Sequence, residues 1–456
     1  MKKLWASSAL LPAGWAANVG IDIAEDGNIA AVHEGIEAAQ RERLPGPLLA
    51  GVANLHSHAF QRGMAGLAET LLRGADNFWT WREAMYRCAM RVSPEQLQAI
   101  AAYLFIEMLK SGYTNVTEFH YLHHAPDGTA YTNPAELSLR TIEAARQAGI
   151  GLTMLPSLYC QGGFAGETLR GGQQRFATDV GMIQEIIRRL REHVGRDPQC
   201  SVGLAPHSLR AVPVGLINEA LTALGPDDPV HIHIAEQTRE VEDCMAATGR
   251  SPVAHLLCHV PVDQRWCLIH GTHMTADEIR DVAATQAVIG FCPITEANLG
   301  DGIFDLPALI EANGRFGIGT DSNVMINPFE ELRWLEYVQR LRHRQRGMAV
   351  PPGQSGSIGG ALYRAVTSSA ALVAGRRIGQ IAAGYRADFC VLDEDLLSLP
   401  DLAGDAWLDS AMFAARTNPV RDVMVGGVWL VHAGHHAGEE AAKMKFDRAM
   451  REIADV

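Results

Sequence analysis

The chain has 456 residues, 47% of them hydrophobic, and a formal net charge of −13. That is longer than one average domain and ample for a packed core, and no run of eighteen or more uncharged apolar residues offers a membrane span. An acidic protein is a poor nucleic-acid partner, because phosphate binding needs a basic surface, so an anionic substrate would have to be met by local positive charge.

From the N-terminus, Met1 to Leu10 carries two lysines among apolar residues, but Pro12 breaks the run and no cleavage site follows. The stretch is expected to be a first strand and the protein cytoplasmic. Further strands are expected around a turn at Glu25-Asp26-Gly27. From Val52 to Asp321 short β-branched or apolar runs alternate with helical patterns, as βα units around a parallel sheet do. Strands are expected at 52–56, 114–119, 151–156, 201–205, 230–234, 267–270, 287–291 and 316–320, and eight parallel strands in that span make a (β/α)₈ TIM barrel. Helix ends are legible between them. Ser93-Pro94 reads as an N-cap with proline at N1, Leu97, Ile100, Leu104 and Met108 share a face, and Gly112 is the stop. Asn133-Pro134 and Gly149 bracket the next helix in the same way. An open doubly wound sheet would want a Gly-rich phosphate turn after its first strand, where this chain has His56-Ser57-His58.

Pro351 to Gly360, rich in Gly, Pro and Ser, is expected to be a long mobile loop. Strands return around Gly384 and Gly426-Gly427. The fold class is therefore α/β: a catalytic barrel over residues 51–375, a small β-sandwich built from 1–50 and 376–436, and a polar C-terminal helix over 437–456.

Barrels of this kind place their chemistry at the C-terminal ends of the strands. The first expected strand ends in Asn54-Leu55-His56-Ser57-His58, whose alternation turns both imidazoles to one side, so the pair can bite one ion. Alone, H-x-H fits two structural histidines equally well. The fifth strand carries His231-Ile232-His233-Ile234-Ala235-Glu236. His233, nearer the strand end, is the better ligand, Glu236 in the following loop the better acid or base, and the deeper His231 reads as core or as a support for its neighbours. The sixth strand ends at His270 and the eighth at Asp321. Eighteen histidines could place one or two at strand ends by chance; His, Asp and Glu at four ends together point to a site.

Three histidines and an aspartate suit zinc or another divalent first-row ion. Related barrels often hold two ions bridged by a carboxylated lysine at the fourth strand end. This chain has five lysines, Lys2, Lys3, Lys110, Lys443 and Lys445, none at a strand end, so one divalent metal is expected. The eight cysteines contain no C-x-x-C pair, which argues against a structural zinc ribbon and against the cysteine-ligated nucleobase deaminases. A bound metal lowers the pKa of water to about 7 and makes hydroxide available. Asp321 beside it can take the released proton, His270 can hold developing charge or orient the nucleophile, and Glu236 can protonate a leaving nitrogen. Attack of metal-bound hydroxide at a carbon bonded to nitrogen is the expected reaction.

With those residues in view, the chain resembles the amidohydrolase superfamily over nearly its whole length, from Leu44-Pro45-Gly46 to Gly384-Tyr385-Arg386-Ala387-Asp388. Within it the chain is similar to the formimidoylglutamate deiminase family of bacterial histidine degradation. The similarity is carried by Asn54 to Arg62, Phe78-Trp79-Thr80-Trp81-Arg82-Glu83, Thr117 to His124 and Ala205-Pro206-His207-Ser208-Leu209-Arg210. The resemblance implies a zinc enzyme that hydrolyses N-formimino-L-glutamate to N-formyl-L-glutamate and ammonia. It puts the metal ligands on His56, His58, His233 and Asp321, makes Glu236 and His270 catalytic, and has the two substrate carboxylates met by Gln61, Arg82, Tyr121, His207 and Arg210. Arginines in an acidic chain fit a dianionic small molecule, since they supply bidentate donors. Arg210 lies just past a strand end, whereas Arg82 rests mainly on the resemblance.

Two other readings compete. The same metal site could serve a deaminase of a cyclic amidine, an aminopurine or a triazine, but a ring wants stacking partners and amide donors rather than two arginines. A barrel that has lost its chemistry and works as an assembly protein would show gaps in the ligand set, and none is missing. Barrel hydrolases are commonly dimers, so a homodimer is expected by analogy.

Overall fold

A computed structural model of the chain describes residues 1–67, 69, 78–397 and 399–454. Eight parallel stations form the central sheet: Val52–Ser57, Tyr113–His120, Gly151–Leu158, the pair Cys200–Val202 and Ala205–Pro206, Val230–Ile234, Trp266–His270, Val288–Phe291 and Arg315–Ile318. It closes at both seams. Ile318 is in register with Asn54, and His231 donates its backbone N–H to the Leu204 carbonyl at 3.1 Å while His233 donates to His207 at 3.1 Å. The barrel expected from the alternating pattern is therefore present, with inward and outward side chains buried alike, as a sheet jacketed by helices requires.

The helix after the first strand's excursion, Pro94–Ser111, forms as its sequence dictates. Ser93 and Gln96 make a reciprocal capping box, Pro94 sits at N1, and Gly112 ends the helix in the left-handed region at φ 104°. The next helix begins later than Asn133-Pro134 suggests, at Glu136–Ala148. Asn133 accepts from the Ala135 and Glu136 N–H groups instead, an Asx turn taking the place of a cap. The fourth strand is likewise shorter than 201–205: it breaks around Gly203, where a Cβ would come within 2.2 Å of the Pro229 carbonyl oxygen, so the backbone must pass too close for any side chain. The Gly/Pro/Ser stretch at 351–360 is only partly loop. Ser357 accepts from the Gly360 N–H at 2.8 Å and starts the helix Ile358–Ala374.

Both chain ends build a second, mixed sheet. Its path runs His435–His436, Val428–His432, Val420–Val425, Phe389–Leu392, Leu48–Ala50, Lys2–Leu11, Gly14–Ile23, Ile29–His33, with Glu42–Arg43 beside Lys2–Leu11. The ends meet where Phe389–Leu392 pairs antiparallel with Leu48–Ala50. The sheet curls over its own core of Leu4, Ile21, Leu48, Phe389 and Met424, bringing the turn at Gly27 against Gly426. The helix Glu439–Ala454 packs on Pro94–Ser111, and among the described residues no helix is long and apolar enough to cross a membrane.

Candidate active site

Four barrel strand ends deliver their polar side chains to one buried point. His56 lies in the strand Val52–Ser57 and His58 just past its end, and their rings meet with centroids 4.5 Å apart. His233 Nε2 is 3.0 Å from His56 Nε2 and 3.3 Å from His58 Nε2, and Asp321 Oδ1 is 3.3 and 3.4 Å from the same two nitrogens. His58 Nδ1 is 2.7 Å from the Phe119 carbonyl oxygen and His233 Nδ1 is 2.9 Å from that of His207. A carbonyl can only accept, so in each neutral ring the proton sits on Nδ1 and the Nε2 lone pair faces the cluster. Burial lowers His58, and lowers His56 and His233 well below the usual histidine value, keeping all three in the ligating, neutral form. Two converging lone pairs and a carboxylate oxygen repel one another unless a cation stands among them. Their spacing is that of a tetrahedron of ligands about 2.0–2.1 Å from an ion, whose edge is about 3.3 Å. The donor set fits a divalent metal.

Beside this cluster lie the groups that can move protons. His270 Nδ1 is 3.2 Å from Glu296 Oε1, and its Nε2 is 3.8 Å from both Glu236 Oε1 and Asp321 Oδ2. Burial acts to lower His270 but is outweighed by the carboxylates of Glu236, Glu296 and Asp321, which raise it to about 10. Glu236 goes the other way: burial dominates, against the pull of His270 and Arg210, and its carboxyl is pushed up to about 7. A carboxyl at that value can both give and take a proton near neutrality. Its backbone N–H is held by Glu240 Oε2 at 3.2 Å.

The strand ends are pinned by amide and hydroxyl side chains. Asn54 donates to Thr320 Oγ1 at 2.7 Å and accepts from the Thr320 N–H at 3.1 Å, tying the first strand to the eighth. Asn323 donates to the His58 and Asp321 carbonyls at 3.1 and 3.0 Å. Ala235, His270, Asp321 and Asn323 all take left-handed backbone angles, φ 46–68°, each costing on the order of 1–3 kcal/mol; the reward is that chains turn sharply just where the polar side chains must face inward. Glu118 accepts from the Ala59 N–H at 2.6 Å and so fixes the turn after the two histidines. Gly319 completes this packing, since a Cβ there would lie 2.7 Å from His56 Cβ, N and O. Gly319→Ala is expected to cost about 1–3 kcal/mol of stability by overpacking and to lower bound metal, checked by thermal unfolding and metal analysis of the same sample.

A cavity opens over the cluster, with His58, His233, Glu236, His270 and Asp321 on its floor and Gln61, Arg82, Tyr121, His207 and Arg210 among its walls. All eleven site residues taken from the sequence, with His56 behind His58, thus gather in one place. Gln61 donates to Tyr121 Oη at 2.6 Å, and its Oε1 is buried without a partner. Burial, Arg210 and its other neighbours hold His207 well below the usual value, hence neutral. Among the described residues no carboxylate forms an ion pair with Arg82 or Arg210, and the Nε of each is buried and unpartnered. Two guanidiniums on one cavity, neither tied up in an ion pair, suit an anionic ligand. The deeper His231 is a core residue, 2.8 Å from the Val373 carbonyl oxygen.

Sequence reasoning missed Glu296, Glu240 and the cavity residues Tyr86 and Tyr159. Glu296, just past the seventh strand in the helix Pro293–Leu299, was open to the same strand-end rule. The two tyrosines carry no local signal.

Comparison with known proteins agrees with this geometry. Residues 48–430 match the model of the amidohydrolase family, and residues 1–46 match that of the N-terminal domain of formimidoylglutamate deiminase HutF. The chain is 50% identical to formimidoylglutamate deiminase of Pseudomonas aeruginosa over the full length of both. Among solved structures, an amidohydrolase from Brucella melitensis superposes with TM-score 0.95 at 45% identity over all of both chains. An adenosine deaminase from Xanthomonas campestris with bound zinc superposes with TM-score 0.81 at 22% identity, over 100% of this chain and 98% of that one.

Proposed function

The chain belongs to the amidohydrolase family, and on that premise we propose that it hydrolyses N-formimino-L-glutamate and water to N-formyl-L-glutamate and ammonia. The observation that carries the reading is the pair of guanidiniums, Arg82 and Arg210, that face the same cavity as the histidine cluster, each with a buried Nε that has no hydrogen-bond partner. An aminopurine or triazine would offer neither of them a carboxylate.

In this proposal His56, His58, His233 and Asp321 hold one divalent metal, zinc by the nature of its donors and by the zinc in the bacterial adenosine deaminase. Bound there, the ion supplies a Lewis acid that makes water nucleophilic at neutral pH. Asp321 accepts the proton that water gives up on attacking the formimino carbon. The ring of His270, oriented by Glu296, donates a hydrogen bond to the oxygen as charge builds on it. Glu236 carries a proton to the terminal nitrogen, so that the C–N bond to that nitrogen breaks, ammonia leaves and the formyl C=O remains on the glutamate nitrogen. Arg82 and Arg210 grip the two carboxylates, with Gln61, Tyr121 and His207 completing their hydrogen bonds. The 50% identity to the Pseudomonas formimidoylglutamate deiminase supports an enzyme acting on a small molecule, and on that reading it works in the cytoplasm.

The test is ammonia release from N-formimino-L-glutamate by zinc-loaded protein, with N-formyl-L-glutamate identified as the second product. Turnover of aminopurines with none of the formimino substrate would reverse the assignment. Arg210→Ala is expected to lower kcat/KM by about 10²-fold or more, mainly through KM, because one carboxylate then loses its charged partner. An unchanged KM would remove Arg210 from substrate recognition.

A further inference from the structure

The indole of Trp79 gathers three guanidiniums from three different elements. Arg82 Cζ, one helical turn along the helix Phe78–Ala89, is 4.6 Å from the ring centroid. Arg239 Cζ, from the first turn of the helix Thr238–Thr248, is 4.8 Å away, and Arg210 Cζ, from the segment after the fourth barrel strand, is 5.9 Å away. All three lie within the reach of a cation–π attraction. Arg82 and Arg210 line the cavity, whereas Arg239 does not. Its side chain is 64% exposed, and it is paired with Asp243 at 3.5 Å, itself 52% exposed. A solvent-exposed pair of that kind holds its charge loosely and leaves it able to engage another anion.

Like charges this close repel, and the negative face of the ring offsets that repulsion while fixing where each planar group sits. The Trp79 ring is thus the shared surface that joins two cavity cations to an exposed one. In a chain of net charge −13, a dianion is repelled over most of the surface, and a local knot of three positive charges leading into the cavity is what draws it in.

We propose that Trp79 is a positioning residue that spaces Arg82 and Arg210 for two carboxylates, and that Arg239 is a further recognition residue, an outer cation that meets one carboxylate before the cavity arginines take it. The inference rests on the dicarboxylate reading of the substrate.

The experiment is calorimetric binding of N-formyl-L-glutamate, a dianion, and of N-formylglycine, a monoanion, to zinc-loaded protein at low and high ionic strength. Arg239→Gln is expected to weaken dianion binding about 5- to 10-fold at ~20 mM salt and less than about 2-fold at ~300 mM, where the screening length falls below the span of the cluster. The monoanion is expected to lose less at low salt, and Arg239→Lys to restore most of the affinity. Trp79→Leu is expected to weaken the dianion about tenfold or more at both salts, with Trp79→Phe recovering most of it because the ring face is kept. Equal affinities for wild type and Arg239→Gln at low salt, a loss that salt does not narrow, or no dianion binding by the wild type would overturn the inference. Ammonia release by the wild type is read separately. Its absence, with salt-dependent dianion binding intact, would sink the deiminase reading and leave the role of Arg239 standing.

Discussion

Glu236→Gln is expected to lower kcat by on the order of 10³- to 10⁴-fold while leaving bound metal and fold intact, the range a positioned general acid–base contributes. The substitution keeps shape and volume. The side chain is 7% exposed and approaches His270 no closer than 3.8 Å, so no short hydrogen bond is lost. Glu240 holds the residue through its backbone N–H, which glutamine keeps. What disappears is a carboxyl that burial has pushed up to about 7, the one property an amide cannot imitate. Glu236→Gln also takes away a carboxylate that faces the buried His270 ring, so the melting temperature is expected to fall without loss of the fold. Single-turnover rates, metal content and thermal unfolding of one preparation check the three parts together. A variant within about tenfold of wild type would take proton transfer away from Glu236 and pass it to Asp321 or to solvent.

That assignment began in the sequence, and the reason it could is local. A residue at a strand end inherits its direction from the period-two alternation of the strand before it, so His56, His58, His233, His270 and Asp321 could be aimed at one point before any packing was known. The same rule separated His233 from His231 by depth alone, and the hydrogen bond of His231 to Val373 shows what that deeper position is for. Arg82 is the opposite case. It lies on a helix outside the barrel's regular βα units, and its direction is set by the ring of Trp79 and by distant neighbours, so no periodicity points to it and only resemblance could. Glu240 and Glu296 hid for another reason: each looks like an ordinary acid in a helix's first turn, and only burial reveals that one holds a backbone and the other an imidazole. The fourth strand failed as a continuous element because Gly203 serves a close backbone approach, a tertiary demand that a run of β-formers does not announce.

The left-handed residues at the strand ends sharpen the second large prediction. Asp321 adopts φ 46°, a conformation asparagine tolerates better than most residues, so Asp321→Asn keeps the backbone turn and the Asn323 bond to its carbonyl. It removes the carboxylate charge that faces His56 and His58 and the group placed to accept a proton beside His270. Losing a ligand charge and a base together is expected to lower kcat by about 10⁴-fold or more, and to reduce zinc retained after dialysis, because three neutral imidazoles hold a dication less firmly than three imidazoles and a carboxylate. The two effects separate on titration with excess zinc. If added metal restores full occupancy and turnover stays lost, Asp321 acts mainly as the base; if turnover returns with the metal, it is a ligand alone. A variant that keeps both zinc and rate without added metal would remove Asp321 from the centre, leaving the three histidines and Glu236 to account for the chemistry.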